Sequence, residues 1–261
     1  MPKPQTKDNF SKHAKTYDQY AVVQRQAAKK LAVLIPRQNI RSILEIGCGT
    51  GLFTKYLLNK YPRAKISAVD FSPAMLKAAR QAIPSSRVKF ILADAQTITP
   101  KKKFDLICSN ACLHWLDNPS RAIKQYWGEL APGGHLLFSA FGPQTYRELQ
   151  AALRMAFGQT HQISAGRFLN KKQWHKQLRR LSSGATAIED IKQINYPTLL
   201  ALLKAIKYTG TRGKGLTIKL PLGRRWLKML KKKYRRQDGN LPATYQVYYF
   251  SAVKPYQQKP K

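Results

Sequence analysis

Three glycines follow an apolar run directly and could bring a ligand against the backbone. The stretch ILEIGCGTGLFTKYLLNKYPRAKISAVDFS, residues 43–72, contains Gly47, Gly49 and Gly51. A glycine turn between a strand and a helix lets a ligand approach closely, because no Cβ atom stands in the way. The spacing is G-x-G-x-G, whereas dinucleotide-binding folds carry G-x-G-x-x-G. The turn therefore predicts a ligand site, but not a pyrophosphate site.

Acidic residues near the glycines narrow the class of ligand that could bind. Glu45 stands two residues before Gly47, where its carboxylate would repel a pyrophosphate and attract a cationic amine. Asp70 ends the second apolar run, and its two oxygens can accept hydrogen bonds from both hydroxyls of a ribose. Asp94, in LADA, can accept the exocyclic amine of adenine while the N–H of Ala95 binds the ring. A ligand with an amine, a ribose and no phosphate is S-adenosylmethionine.

Other residues near these acids are suited to the rest of that ligand. Ala74 and Met75 lie on the helix predicted after Asp70 and can pack on the purine ring, and Phe71 is a further cofactor-binding candidate. Asn110 ends another apolar run, where its carbonyl or side chain can face the methionine portion. All of these positions fall at the carboxyl ends of predicted strands, which is where open α/β sheets bind ligands.

Short apolar runs alternate with helical patterns through the first half of the chain. Ser72 followed by Pro73 is a strong helix-start signal. Helices between consecutive strands predict an α/β fold, with a parallel sheet covered by helices on both faces. The predicted strands are 43–46, 65–70, 88–92, 104–109 and 135–140; the helices are 52–61, 73–82 and 119–130, with APGG breaking the last one.

The pattern changes at both ends of the chain. Residues 8–35 have helical spacing and end before Pro36. Beyond Gly142 we predict helices at 146–157, 171–181 and 197–208, a strand at 185–194, a flexible loop at TGTRGKG, a basic helix at 222–236 and a last strand at 244–253. We divide the chain into an N-terminal part, 1–36, a ligand-binding core, 37–157, and a C-terminal part, 158–261, whose residues 197–240 form a helical cap.

Composition limits the class of protein. The chain has 261 residues, enough for one large domain, and no apolar stretch suited to a signal peptide or a membrane span, so we expect a cytoplasmic protein. Its three cysteines form no CxxC pair, which argues against disulfides and a metal site. The 47 lysines and arginines against 12 acidic residues give a formal charge of +35. Nucleic acid, an anionic membrane, an acidic protein or a generally basic proteome could each account for it.

Several motifs together resemble one enzyme family. The segments around Glu45–Gly51 and Asp70, with LADAQ, SNACLHWLDNP and LAPGGHLLFSAF, are similar to class I methyltransferases. With NFSKHAKTYDQYAVVQRQAA, FGPQTYRELQ and TYQVYYFSAV, they resemble the malonyl-acyl-carrier-protein O-methyltransferases of biotin biosynthesis over nearly the whole chain. The resemblance implies a Rossmann-like seven-stranded sheet, with residues 1–36 as a helical lid. It also implies methylation of the free carboxyl of a malonyl thioester, the ester then passing through fatty-acid elongation.

The implied substrate suggests further site residues. A carboxylate is ionised near neutral pH and needs no general base, but an anion in an apolar pocket needs a cation or hydrogen-bond donors. We predict Arg147 for this role, with Lys207 and His114 as further candidates. Tyr17, in the predicted lid, would cover the sulfonium as an aromatic face. Trp115, Tyr146 and Phe141 are candidate pocket walls.

The expected partner is an acidic acyl carrier protein bearing malonyl-phosphopantetheine, or else malonyl-coenzyme A. We expect a monomer and no membrane partner. The alternatives are methylation of another small carboxylate, as in trans-aconitate methyltransferases, methylation of RNA, or an inactive basic binding module. SNACLH lacks the N-P-P-Y pattern of exocyclic-amine methylation, which disfavours RNA. The basic clusters that could meet an acidic partner are Lys12 and Lys15, Lys171, Lys172 and Lys176, Arg179 and Arg180, Arg212 and Lys214, and the run 224–236.

Overall fold

The computed structural model describes residues 4–36, 39–98, 102–158, 163–209 and 223–256. Seven strands form a single sheet in the order β3-β2-β1-β4-β5-β7-β6. The first five strands are parallel, and β7 runs antiparallel to both β5 and β6. The strands are β1 Ser42–Ile46, β2 Lys65–Asp70, β3 Val88–Leu92, β4 Phe104–Ser109, β5 Leu130–Phe141, β6 Thr186–Tyr196 and β7 Leu241–Val253.

Helices connect and cover the strands. Ser72 and Asn118 each cap a helix by accepting a backbone N–H, from Met75 and Arg121, and a proline follows each cap. The helices are α1 Pro4–His13, α2 Tyr17–Tyr20, α3 Val22–Leu34, α4 Leu52–Lys60, α5 Pro73–Ala82, α6 Pro119–Glu129, α7 Arg147–Phe157, α8 Lys171–Arg179, α9 Leu199–Tyr208 and α10 Arg224–Lys233, with short 3-10 turns at Leu113–Trp115 and Ser164–Arg167.

The central strands of the sheet are buried on both faces, as their continuous apolar runs predict, whereas no residue of the edge strand β6 is fully buried. Ile43 and Leu44 are adjacent on β1, are both buried, and belong to two different apolar clusters. Alternate residues of a strand point to opposite faces, so each cluster lies on one side of the sheet. This two-sided core holds the carboxyl ends of the central strands rigidly in place.

The structure confirms the predicted α/β fold and corrects two details. APGG does not separate the helix from the strand: α6 ends at Glu129 and β5 begins at Leu130, with Gly133 at φ +75°. The lead-in is three helices rather than one, because the chain turns after His13 and again at Ala21. The predicted loop TGTRGKG lies outside the described residues beyond Thr209. The three-part division of the chain stays a prediction.

Candidate functional site

A crevice of about 720 Å³, including its open mouth, lies at the carboxyl edge of the parallel strands. It is bounded by the turn after β1, the ends of β2 and β4, and the first two helices. Such a position is where ligands bind in open α/β sheets. The lining residues are Phe10, Tyr17, Gly47, Gly49, Val69, Asp70, Phe71, Met75, Ala93, Asp94, Ala95, Asn110, Ala111, Cys112, Trp115 and Leu116.

The three glycines have different roles, although all have positive φ. A Cβ at Gly49 would meet nothing within 4 Å, so this backbone faces open space in the crevice. A Cβ at Gly47 would lie 2.3 Å from Sγ of Cys112, which forms part of the same wall. A Cβ at Gly51 would lie 2.5 Å from Cδ1 of Ile83. The structure therefore places Gly51 in the packing of α4 against α5 and not in the lining, contrary to the prediction.

Asp70 is held by the backbone around it. Its Oδ2 accepts the N–H of Gly49 at 2.9 Å, and its Oδ1 accepts the N–H of Ser72 at 2.9 Å. Burial raises the pKa of the carboxyl to about 6, although these hydrogen bonds oppose the rise. Each carboxylate oxygen can accept a second hydrogen bond, so Asp70 retains the capacity to bind two hydroxyl groups.

Glu45 lies in a smaller adjoining pocket of about 300 Å³, which shares Tyr17, Gly47 and Asn110 with the crevice. The residue is only 1% exposed, and its Oε2 accepts the hydroxyl of Thr54 at 2.6 Å. Burial raises the pKa of Glu45 from 4.5 to about 7. A cation arriving in this pocket would stabilise the ionised form.

No lysine, arginine or histidine lines either pocket within the described parts of the chain. The charged side chains there are Glu45, Asp70 and Asp94. Buried carboxylates without a countercharge are costly, so the arrangement favours a cationic ligand. An adenosyl ligand with an amino group and a sulfonium meets that demand, and the open space at Gly49 leaves room for its approach.

Aromatic side chains border the crevice on the side of the N-terminal helices. The ring of Phe10 lies 6.4 Å from that of Tyr17 and 6.1 Å from those of Phe71 and Trp115, measured between centroids. Burial raises the pKa of Tyr17, so its hydroxyl stays protonated. These rings form an apolar wall that keeps water from one side of the ligand.

Three hydrogen bonds fasten the N-terminal helices across the sheet edge. The hydroxyls of Ser11 and Ser72 are 2.8 Å apart, and the hydroxyl of Thr50 donates to Asp18 at 2.6 Å. The side-chain nitrogen of Asn110 donates to the carbonyl of Gln24 at 3.0 Å.

Asn110 borders both pockets, but its side chain is occupied. Besides the bond to Gln24, its Oδ1 accepts the hydroxyl of Ser139 at 2.8 Å. The side chain thus positions α3 on the sheet edge.

The region after β3 brings together the residues predicted for the adenine end. Asp94, Ala95, Phe71 and Met75 all line the crevice. The Oδ1 of Asp94 accepts the N–H of Gln96 at 2.9 Å, which fixes the turn.

His114 does not line either pocket. Its ring is buried against Trp115, Phe141 and Phe168, at 4.8–5.0 Å between centroids. Its Nδ1 accepts the N–H of Phe141 at 3.3 Å. Burial lowers the pKa of His114 to about 3, so the ring is neutral and cannot serve as the predicted cation for a carboxylate.

Arg147 also lies away from the crevice. Its side chain is 56% exposed and bonds to Glu148 at 3.1 Å and to Gln144 at 3.3 Å. Lys207 places its ammonium 5.5 Å from the ring centroid of Tyr208 and does not line the crevice. Neither cation lines the crevice: Arg147 is held by Glu148 and Gln144, and Lys207 lies at the end of α9 beside Tyr208, whose ring stacks on that of Tyr20.

Sequence analysis missed several lining residues. Phe10 and Tyr17 lie on two separate helices, α1 and α2, so helical spacing could not have identified Phe10 as a neighbour of Tyr17. Cys112 has no local signal either, because it meets Gly47 only through the fold. Burial raises the pKa of its thiol to about 12, so it contributes as a neutral wall. The other residues missed are Val69, Ala93, Ala111 and Leu116 in the crevice, and Gln24, Cys48, Thr50, Leu52 and Phe53 in the smaller pocket.

Two features are absent from the described part of the chain. The described residues contain no group of three or more His, Cys, Asp or Glu side chains placed to hold a metal ion. None of the described helices is long and apolar enough to cross a membrane.

Comparisons with known proteins agree with this geometry. A family model described as a methyltransferase domain matches residues 44–138. Among solved structures, the YcgJ protein from Bacillus subtilis superposes with a TM-score of 0.61 at 13% identity, covering 88% of this chain and 98% of that one. The N-methyltransferase NodS from Bradyrhizobium japonicum, in complex with S-adenosylhomocysteine, gives 0.53 at 15% identity, covering 96% and 99%. Fold and site thus define a class I, S-adenosylmethionine-dependent methyltransferase.

Sequence relatives narrow the class to one family. Malonyl-[acyl-carrier protein] O-methyltransferase 1 of Ilyobacter polytropus is 35% identical over 242 residues, which are 92% of this chain and 89% of the relative. The malonyl-[acyl-carrier protein] O-methyltransferase of Halalkalibacterium halodurans is 34% identical over 258 residues, 92% and 94% of the two chains. This chain belongs to the malonyl-[acyl-carrier protein] O-methyltransferase family.

Proposed function

We propose that this protein transfers a methyl group from S-adenosylmethionine to the free carboxylate of a malonyl thioester carried by an acyl carrier protein. The observation that carries the proposal is the crevice itself. Asp70 and Asp94 line the crevice and Glu45 lines the smaller pocket beside it, and no described residue of either lining is a cation. The chain is also similar over nine-tenths of its length to an enzyme of that name.

The residues fit the adenosyl ligand in three sections. Asp70 would accept the ribose hydroxyls, and Asp94 with Ala95 would bind the adenine edge. Glu45, in the smaller pocket, would pair with the amino group of the methionine portion. Gly49 would let the ligand lie against the protein backbone, since no atom lies within 4 Å of the position that a Cβ would take there. Met75, only 2% exposed, offers a polarisable surface to the purine.

The reaction needs no general base from the protein. When bound, S-adenosylmethionine supplies an electrophilic methyl group, and its sulfur leaves as a neutral thioether. A malonyl carboxylate is already ionised near neutral pH. The chain therefore has to orient the two partners, for which holding the reacting atoms at about 3 Å is the main source of rate. Phe10, Tyr17 and Trp115 would also exclude water from that space.

Charge sets the order of binding. Without the adenosyl ligand, the described linings of the two pockets hold three carboxyl groups and no cation, so nothing there attracts a malonyl carboxylate. Once a sulfonium is bound, it offers the countercharge that Arg147 and His114 do not provide. We therefore expect S-adenosylmethionine to bind first and the malonyl group second.

A transfer assay tests the proposal. Protein, S-adenosylmethionine and malonyl-carrier protein should yield a carrier heavier by one methyl group, which mild alkali removes as an ester. The Asp70→Asn variant should show at least tenfold weaker S-adenosylhomocysteine affinity, since hydrogen bonds to a charged group are worth ~1.5–3 kcal/mol. Methylation of trans-aconitate or bulk tRNA, with malonyl-carrier protein left unmodified, would refute the proposal.

A further inference from the structure

A second depression, of about 960 Å³, is lined by three arginines outside the crevice. Arg147 begins α7, and Arg235 and Arg236 follow α10; all three are exposed. Gln193 and Gln237 lie beside them and are joined by a hydrogen bond of 3.0 Å. Arginines and amides that converge on one concavity form a donor set suited to an anion with several oxygens.

The acid in this lining, Glu148, is engaged with its neighbours. Its Oε2 accepts the N–H of Thr244 at 2.9 Å, and its Oε1 accepts the hydroxyl of Thr244 and Nε of Arg147. It therefore holds Arg147 in place against β7 and offsets only one of three positive charges. The described lining keeps a net charge of +2.

The depression opens on the same edge of the sheet as the crevice. Phe141 at the carboxyl end of β5 pairs with Val247, so the start of β7 lies beyond that end. The N–H of Tyr146 donates to the carbonyl of Thr244 at 2.7 Å, which places Arg147 beside the start of β7. Pro242, which lines the depression, also lies in this first part of β7.

The separation of the two sites matches one part of the proposed substrate. From β1 to β7 there are three strand spacings and from β1 to β6 four, which is roughly 14–19 Å at about 4.8 Å each. In a malonyl-pantetheine arm the free carboxylate is about sixteen bonds from the phosphorus. That equals about five residues of extended chain, or ~17 Å.

We propose that Arg147, Arg235 and Arg236 bind the phosphate of the pantetheine arm while its malonyl end reaches the crevice. This inference rests on the proposed function. The depression thus measures the length of the arm and recognises the carrier-bound phosphodiester, not the acyl group. Arg147, predicted from sequence to bind the malonyl carboxylate, instead binds the opposite end of the same substrate.

Steady-state kinetics with three malonyl thioesters test the assignment. The double variant Arg235→Ala/Arg236→Ala should raise KM for malonyl-carrier protein about tenfold and leave kcat within twofold. The tenfold rise assumes that each exposed arginine contributes about three- to fivefold. Malonyl-coenzyme A, which carries a phosphate at the same position of the pantetheine arm, should show a similar rise in KM. Malonyl-pantetheine, which has no phosphate, should be methylated equally by wild type and variant.

A matched control uses two arginines at the start of α10, the helix that precedes Arg235 and Arg236. Trp226 near the start of α10 stacks on Phe157 at the end of α7, with 4.9 Å between centroids. Arg224 and Arg225 are therefore at the end of α10 away from the depression, and both are exposed. Arg224→Ala/Arg225→Ala removes the same charge and should change KM less than twofold. An equal rise in this control would show that net charge alone attracts the carrier, and would overturn the assignment.

Direct binding separates this inference from the proposed function. Calorimetry with 4′-phosphopantetheine alone should detect binding to wild type that weakens about tenfold in the Arg235→Ala/Arg236→Ala protein. Equal affinities, or an equal loss of activity with malonyl-pantetheine, would refute the phosphate site. Absence of methylation with every malonyl thioester would refute the proposed function, and the calorimetric comparison would still decide whether the arginines bind the phosphate.

Discussion

Replacing Glu45 with glutamine should flatten the pH dependence of the free energy of unfolding. Glu45 is buried, accepts one side-chain hydrogen bond from Thr54, and forms no ion pair among the described residues. Burial raises its pKa from 4.5 to about 7. A carboxyl group with a raised pKa binds its proton more tightly in the folded state, so ionising it opposes folding.

The magnitude follows from the two pKa values. Each pKa unit corresponds to ~1.4 kcal/mol, so ionising Glu45 costs about 3 kcal/mol of folding stability. That cost is absent below the unfolded pKa near 4.5, grows as the pH rises, and is complete above about 7. Asp70, whose pKa is raised to about 6, adds a separate decline at lower pH. The Glu45→Gln protein should keep the Asp70 decline and lose the other.

Urea unfolding of the ligand-free protein between pH 4 and pH 8.5 measures the effect. Between low and high pH, the free energy of unfolding should fall by about 3 kcal/mol less in the variant than in wild type. The buried amide of the variant adds the same cost at every pH and does not affect this difference. Glu189→Gln is the control of opposite sign. Hydrogen bonding to Gln246 lowers the pKa of Glu189 from 4.5, with Lys171 contributing, so the ionised side chain stabilises the wild type above about pH 4.5. Relative to wild type, that variant should lose this stability as the pH rises toward that value and show no further difference in slope near pH 7. Parallel curves for wild type and Glu45→Gln would contradict the reasoning.

Three further results are expected. Gly49→Ala should weaken S-adenosylhomocysteine affinity and add ~1 kcal/mol of backbone strain. Gly51→Ala should lower Tm further, and Ile83→Val, which removes the clashing Cδ1, should partly restore it. Equal Tm losses without rescue would count against these roles. Tyr17→Phe should keep kcat/KM within threefold, because the hydroxyl stays protonated, while Tyr17→Ala should lower it at least tenfold; equal losses would mean that the ring is not the part that matters. At saturating S-adenosylmethionine, the pH profile of log kcat near pH 6–7 should be the same for wild type and His114→Gln, since burial keeps that imidazole neutral.

The sequence predicted the central sheet closely because local signals there agree with the tertiary fold. Strands at 65–70, 88–92 and 104–109 have the predicted bounds, and Ser72 caps its helix as expected. Continuous apolar runs bounded by turn residues leave few other structures. The acids at the strand ends follow from the same topology, since the carboxyl ends of parallel strands meet at one edge.

The sequence could not indicate where residues lie when their positions depend on contacts between distant segments. Gly51 shares its motif with Gly49, but only the packing of Ile83 distinguishes the two. Arg147 begins a helix near the ligand edge, yet Glu148 and Thr244 draw it toward β7. His114 sits in a motif beside the crevice, but three aromatic rings enclose it. No local pattern encodes these choices.

The bonds that join Ser11 to Ser72, Thr50 to Asp18 and Asn110 to Gln24 have a kinetic consequence. We propose that a nucleoside bound beneath Phe10 and Tyr17 leaves only after these bonds are broken. The catalytic cycle would then contain an opening step separate from the chemistry, and the rate of that step would set an upper bound on turnover.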